Sequence, residues 1–142
     1  MIRFLFAALL ALSMRPTMAA DLPAATLYKD PQCGCCEAYA DHLQAEGFMV
    51  AVQDTEDLSA TKERHGVPAG YEGCHTVLID GYVVEGHVPV GVIERLLAER
   101  PDVRGISLPG MPLGSPGMSG TKSEPFTIHA FGKGEPTVYA VE

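Results

Sequence analysis

Positive charge is what this sequence has least of. Ten lysines and arginines stand against 18 aspartates and glutamates in 142 residues, for a net charge of −8. Nucleic-acid binding needs Lys and Arg gathered on one face, so this composition argues against that class. Long apolar runs are missing too: the stretch from Phe4 to Ser13 falls short of the roughly 20 residues a bilayer-spanning helix needs. No long internal repeat is present. Cysteine is scarce, with four in the chain, yet Cys33, Cys35 and Cys36 fall within four positions of "KDPQCGCCEAY" (29–39). A disulfide and a redox-active dithiol each need two thiols, so the third requires another reason.

The N-terminus reads as a secretory signal peptide over 1–20. Arg3 supplies a positive start, Phe4 to Ser13 an apolar centre, and Thr17 to Ala20 a small-residue end, with a retained anchor as the alternative because Met18 is bulky for a processing site. Its removal leaves 122 residues, and loss of Arg3 and Arg15 takes the net charge from −8 to −10. The expected location is the periplasm or beyond, with no membrane span after cleavage. In an oxidising compartment four cysteines ordinarily form two disulfides. A Cys33–Cys36 bridge is open to this spacing, and Cys35 would then have to find Cys74, because bridged Cα atoms sit roughly 4.4–6.8 Å apart.

The spacing predicts a strand over 24–30, stopped by Asp30-Pro31, and a helix over 36–47 with Cys36, Tyr39, Ala40 and Leu43 on its apolar face. A strand over 48–55 and a short polar helix over 57–66 follow. Residues 75–87 read as two strands around the Asp80-Gly81 turn signal, and 89–100 as a helix that must end before Pro101. Tyr28 and Phe48 are expected in the core. The order β-α-β-α-β-β-α closes near residue 100. Residues 101–120, with four prolines and five glycines, read as loop. "PFTIHAF" and "PTVYAV" around "GKGE" read as a terminal hairpin.

This order, with a cysteine pair opening the first helix, resembles the thioredoxin-like fold, and Cys33 and Cys36 keep its C-x-x-C spacing. Unpaired backbone N–H groups and the positive end of the helix dipole there favour thiolate, the form that attacks disulfides and binds soft metals. "VLIDGYVVEG" (77–86) is similar to the glutaredoxin hairpin. That likeness puts His75 where glutaredoxins carry a cis-proline, Cys74 beside it, and His87 next to the glutaredoxin Gly-Gly position. It implies that Cys33, Cys35, Cys36, Cys74, His75 and His87 converge as a candidate metal-ligand shell. Thiolate-rich sites select Cu(I), zinc or iron–sulfur centres. Export disfavours iron–sulfur, zinc is satisfied by four ligands, and adjacent Cys35-Cys36 suit bridging thiolates on Cu(I) better.

"YKDPQCGCCEAYADHL", "HGVPAGYEGCHTVLIDGYVVEGHVP" and "GMPLGSPGM" closely resemble the CopG-like family of bacterial periplasmic proteins, long catalogued as a domain of unknown function. The resemblance spans Tyr28 to the terminal hairpin. It implies a thioredoxin-like domain that binds copper through the C-x-C-C thiols and the Cys of the Cys-His pair, among other periplasmic copper-resistance proteins. The expected fold class is α/β, thioredoxin-like, with a Gly/Pro-rich loop and a C-terminal β-hairpin extension. The expected organisation is a signal peptide at 1–20, a thioredoxin-like metal-binding domain at 21–100, and the loop and hairpin at 101–142 packed on the same domain. Two functions stand side by side: a Cu(I)-binding protein of copper homeostasis, or an oxidoreductase with Cys33 and Cys36 as its catalytic pair. A disulfide-stapled interaction domain is the third reading. Met111 and Met118 read as gap-fillers on the loop rather than copper ligands, and His42, His65 and His129 are assigned no function.

Overall fold

A computed structural model of the protein describes residues 22–142, so the signal-peptide reading of 1–20 lies outside the described residues. Strand β1 (Ala25–Lys29) is followed by helix α1 (Gly34–Ala45), β2 (Val50–Asp54), α2 (Leu58–His65), β3 (His75–Ile79), β4 (Tyr82–Glu85), α3 (Val90–Glu99), β5 (Gly105–Ser107), β6 (Thr127–Gly132) and β7 (Gly134–Val141). All seven strands join one mixed sheet in the order β2-β1-β3-β4-β5-β6-β7. Strand β1 runs parallel to β2 and antiparallel to β3, and β3 is antiparallel to β4. The fold class is mixed α/β. Among the described residues, no helix is long and apolar enough to cross a membrane.

Helix α1 begins two residues before the expected start, with Cys33 as N-cap, so Cys35 and Cys36 lie in its first turn. Its buried residues are Cys36, Tyr39, Ala40 and Leu43, the stripe that i, i+3, i+4 spacing defines. In α2, the Asp57 side chain accepts from the Ala60 N–H at 2.9 Å, and Gly66 closes the helix in the left-handed region at φ 75°. Asp80 and Gly81, both at positive φ, make the tight β3–β4 turn.

Residues paired across β1, β3 and β4 show which side each presents, because partners in register share a face. Lys29 pairs with His75, and Leu27 with Val77. Tyr39 of α1 packs on His75, so this face lies under α1. Thr76 pairs with Glu85 and Tyr28 with Thr76 on the opposite face, where Lys62 and His65 of α2 meet them. Tyr28 is therefore half-buried and stacked on His65, not the core residue expected. Lys29 is the fully buried neighbour, its ammonium paired with Glu37 and Asp54 at 2.8 and 2.9 Å. Phe48 is buried as expected. Burial of side chains such as Leu27, Val77, Ile93 and Leu96 contributes about 1.5–3 kcal/mol each.

Sequence reading placed 101–120 entirely in loop, yet Gly105–Ser107 is a strand parallel to β4. Glycine 105 is there for space: a Cβ on it would lie 2.1 Å from the Val83 carbonyl oxygen. Through β5 the terminal hairpin becomes part of the central sheet.

Candidate metal centre

Three chain segments build the centre. The Asp30–Cys33 turn and the first turn of α1 carry Cys33, Cys35 and Cys36; Lys29 steadies the approach, its ammonium donating to the Asp30 and Pro31 carbonyls at 3.3 and 3.4 Å. Cys74 and His75 enter β3, and His87 follows β4.

The four cysteine sulfurs all lie within 4.8 Å of one another, and so do one ligand atom each of Cys74, His75 and His87. Cys33 and Cys36 are joined as a disulfide, with Cα atoms 5.4 Å apart, while Cys35 and Cys74 are free thiols. Cys35 Sγ lies 3.5 Å from Cys33 Sγ and 3.7 Å from Cys74 Sγ. Cys36 Sγ sits 3.4 Å from the Cys74 carbonyl; as a disulfide sulfur it has no proton to donate there, and once reduced it does. Cys33, Cys35 and Cys74 are half-buried, whereas Cys36, His75 and His87 are buried.

Cys74 belongs to both groups. Its sulfur is 2.9 Å from His87 Nε2 and 3.5 Å from His75 Nδ1. The other nitrogen of His87, Nδ1, is 2.7 Å from the Pro116 carbonyl, which can only accept. His87 therefore carries its proton on Nδ1, and its Nε2 lone pair accepts from the Cys74 thiol. His75 Nε2 is buried and meets no partner with hydrogen-bond geometry among the described residues, although the nearby Gly86 backbone acts on it weakly. A buried imidazole nitrogen is normally hydrogen-bonded, and in whichever tautomer leaves it unprotonated its lone pair is free to hold a metal ion. Tyr39 packs on both imidazoles, with ring centroids 4.5 and 5.3 Å away, and donates its hydroxyl to the Val88 carbonyl at 2.7 Å.

Burial, first, and then the neighbouring Cys35 push the Cys74 thiol up to about 12. Burial holds His87 below its ordinary value, and burial followed by the adjacent His87 and Lys62 holds His75 well below it. Without a metal Cys74 is thus a neutral thiol set against two neutral imidazoles. A cation arriving there displaces protons from sulfur rather than finding anions ready.

Sequence reading named the six residues that the structure brings together but missed what holds them. The loop after β5 closes over α1: at Gly117, φ +80°, a Cβ would sit 2.7 Å from the Tyr39 backbone nitrogen, and the preceding residue's carbonyl fixes His87. Met111 is 55% exposed and Met118 half-buried; the loop touches the centre through the Pro116 carbonyl. Behind β3, Lys62 pairs with the fully buried Glu85. The signal for that pair was a lone carboxylate in the otherwise apolar "YVVEGH". His42, His65 and His129 lie outside both donor groups.

The fold and the centre together define a mixed α/β protein with a thiol–imidazole cluster competent to hold metal. A family model described as a protein of unknown function, DUF411, matches residues 71–118. No curated protein matches the chain. Two solved structures, described as copper resistance protein copG in form 2 and form 1, are similar to it. Each is 41% identical and covers 85% of this chain and 98% of its own, with TM-scores of 0.79 and 0.78. The chain belongs to this CopG-like, DUF411 family.

Proposed function

We propose that the protein binds copper as Cu(I) in the periplasm, through Cys33, Cys35, Cys36 and Cys74 with His75 and His87, and serves copper resistance. The observation that carries this reading is the shared sulfur of Cys74, which stands 3.7 Å from Cys35 Sγ and 2.9 Å from His87 Nε2. A single zinc ion needs four donors in a tetrahedron, whereas here six candidate donors form two groups that share the Cys74 sulfur, which as a thiolate would be able to bridge two ions. The relatives' description as copper resistance proteins supports copper over zinc. The β-α-β-α-β-β-α order through Glu99, with Cys33 capping α1, supports a thioredoxin-like core for residues 21–100, extended by 101–142. The apolar, Arg3-led start of the chain supports export.

The Cys33–Cys36 disulfide supports a second reading, a copper-coupled oxidoreductase. Reducing the bridge takes two electrons and two protons and yields the two missing thiols. In reverse, two Cu(II) ions each accept one electron as Cys33 and Cys36 form the disulfide and release two protons. Holding Cu(I) and reducing Cu(II) would then be two uses of the same sulfurs.

Reduced protein titrated without oxygen against a chromogenic Cu(I) chelator distinguishes the readings. Copper binding retains more than one Cu(I) per chain, with zinc unable to displace it. Zinc displacing the copper at one ion per chain would favour a tetrahedral zinc site. No retained metal, alongside a reversible Cys33–Cys36 disulfide that reduces a model substrate, would leave only the oxidoreductase.

A further inference from the structure

The Cys74-His75 pair is gripped from behind by one buried carboxylate. Glu85 on β4 is fully buried. Its Oε1 accepts the Gly73 N–H at 2.8 Å, and its Oε2 accepts the Thr76 hydroxyl at 2.7 Å. Gly73 precedes Cys74 and Thr76 follows His75, so the two bonds bracket the dipeptide. Lys62 of α2 pairs with Glu85 Oε1 and also donates to Thr76 Oγ1 at 3.2 Å, which supplies the positive charge a buried carboxylate requires. The close approach is built into the backbone. A Cβ on Gly73 would lie 2.5 Å from Gly86 Cα, so only glycine lets this strand come within reach of β4.

We infer that Glu85, neutralised by Lys62, is a positioning residue that fixes the Cys74 and His75 donors relative to the α1 thiols and to His87. It touches neither donor atom; it acts through the backbone on either side of them. The bracket presents Cys74 Sγ 2.9 Å from His87 Nε2, a fit that a loosened β3 entrance does not keep. This inference rests on the metal-binding reading for its consequence, but the clamp itself is measurable without metal.

Two double variants of matched shape isolate it. Lys62→Met with Glu85→Gln removes both charges and keeps an amide that can accept from Gly73 and bond to Thr76. Lys62→Met with Glu85→Leu removes the charges and the clamp together. Replacing a buried ion pair by neutral groups of similar volume is commonly tolerated, so the Gln variant should melt close to the parent. The Leu variant leaves the Gly73 N–H and Thr76 hydroxyl without their acceptor, so it should fold but melt lower. In the metal-free protein, hydrogen exchange of the Gly73 amide should stay within about threefold of the parent in the Gln variant and rise about tenfold in the Leu variant. Competition titration should show Cu(I) affinity following the same order, retained with Gln and about tenfold weaker with Leu.

Leu-variant exchange or Cu(I) affinity matching the parent, in a folded protein, overturns the positioning role. If the Leu variant does not fold, Thr76→Val, which removes one arm of the bracket, replaces it with the same two readouts. Parent protein that binds no Cu(I) overturns the metal reading, while the exchange contrast still decides the clamp.

Discussion

At Cys74, a thiol pushed up to about 12 by burial and by Cys35 sits against two imidazoles that burial holds low. Metal taken up there displaces protons, so Cu(I) affinity should fall on going from pH 7.5 to pH 5; an affinity that does not change would contradict thiolate ligation. The imidazoles also set the stability of the metal-free protein. An unfolded histidine takes its proton near 6.5, and the folded His75 does so only at lower pH. The stability it contributes is therefore complete above pH 6.5 and is lost as pH falls through the folded value. The melting temperature should drop from pH 7.5 to pH 5, and the drop should be smaller in His75→Gln; an equal drop in both would show that His75 is not its source. Sequence patterns were strong for the donors, because cysteines at this density have few uses, and weak for their supports. The pairings of Lys29, Lys62 and Glu85 are not predicted by local pattern, since pairing across β-strands and helices is not local in sequence.

Among the elements, α1 and α3 were legible from their apolar stripes, and β3 and β4, almost wholly buried, from their apolar runs around the Asp80-Gly81 turn. Strand β5 was not, being three residues long with a glycine that looks like loop chemistry until Val83 is beside it. Gly105→Ala forces a methyl group within 2.1 Å of the Val83 carbonyl oxygen, so β4 and β5 must separate. The expected cost is about 1–3 kcal/mol, read as a lower urea midpoint. A parental midpoint would mean that the β4–β5 seam is looser than described. Gly117→Ala meets the Tyr39 backbone at 2.7 Å with φ +80°. A similar loss is expected there, together with weaker Cu(I) binding, because Pro116 is the residue that orients His87. Lost stability with unchanged Cu(I) affinity would confine the strap to a structural role.

For the whole molecule, one seven-stranded sheet carries helices on both faces and brings the two halves of the centre together. The C-x-C-C end of α1 lies on one side, and the Cys-His opening of β3 with His87 lies on the other. The β-α-β-α-β-β-α order was readable from periodicity and turn residues. That the 101–142 segment would extend the same sheet was not, because its joining strand is the one that sequence concealed. Cys74 is the sulfur common to both donor groups. The measurement that tests this most directly is the Cu(I) count per chain in reduced parent protein and in Cys74→Ser, each against a competing chelator. More than one tightly held ion is expected in the parent, with all of them lost together in the variant. A variant that keeps the parental copper count would contradict a shared role for Cys74.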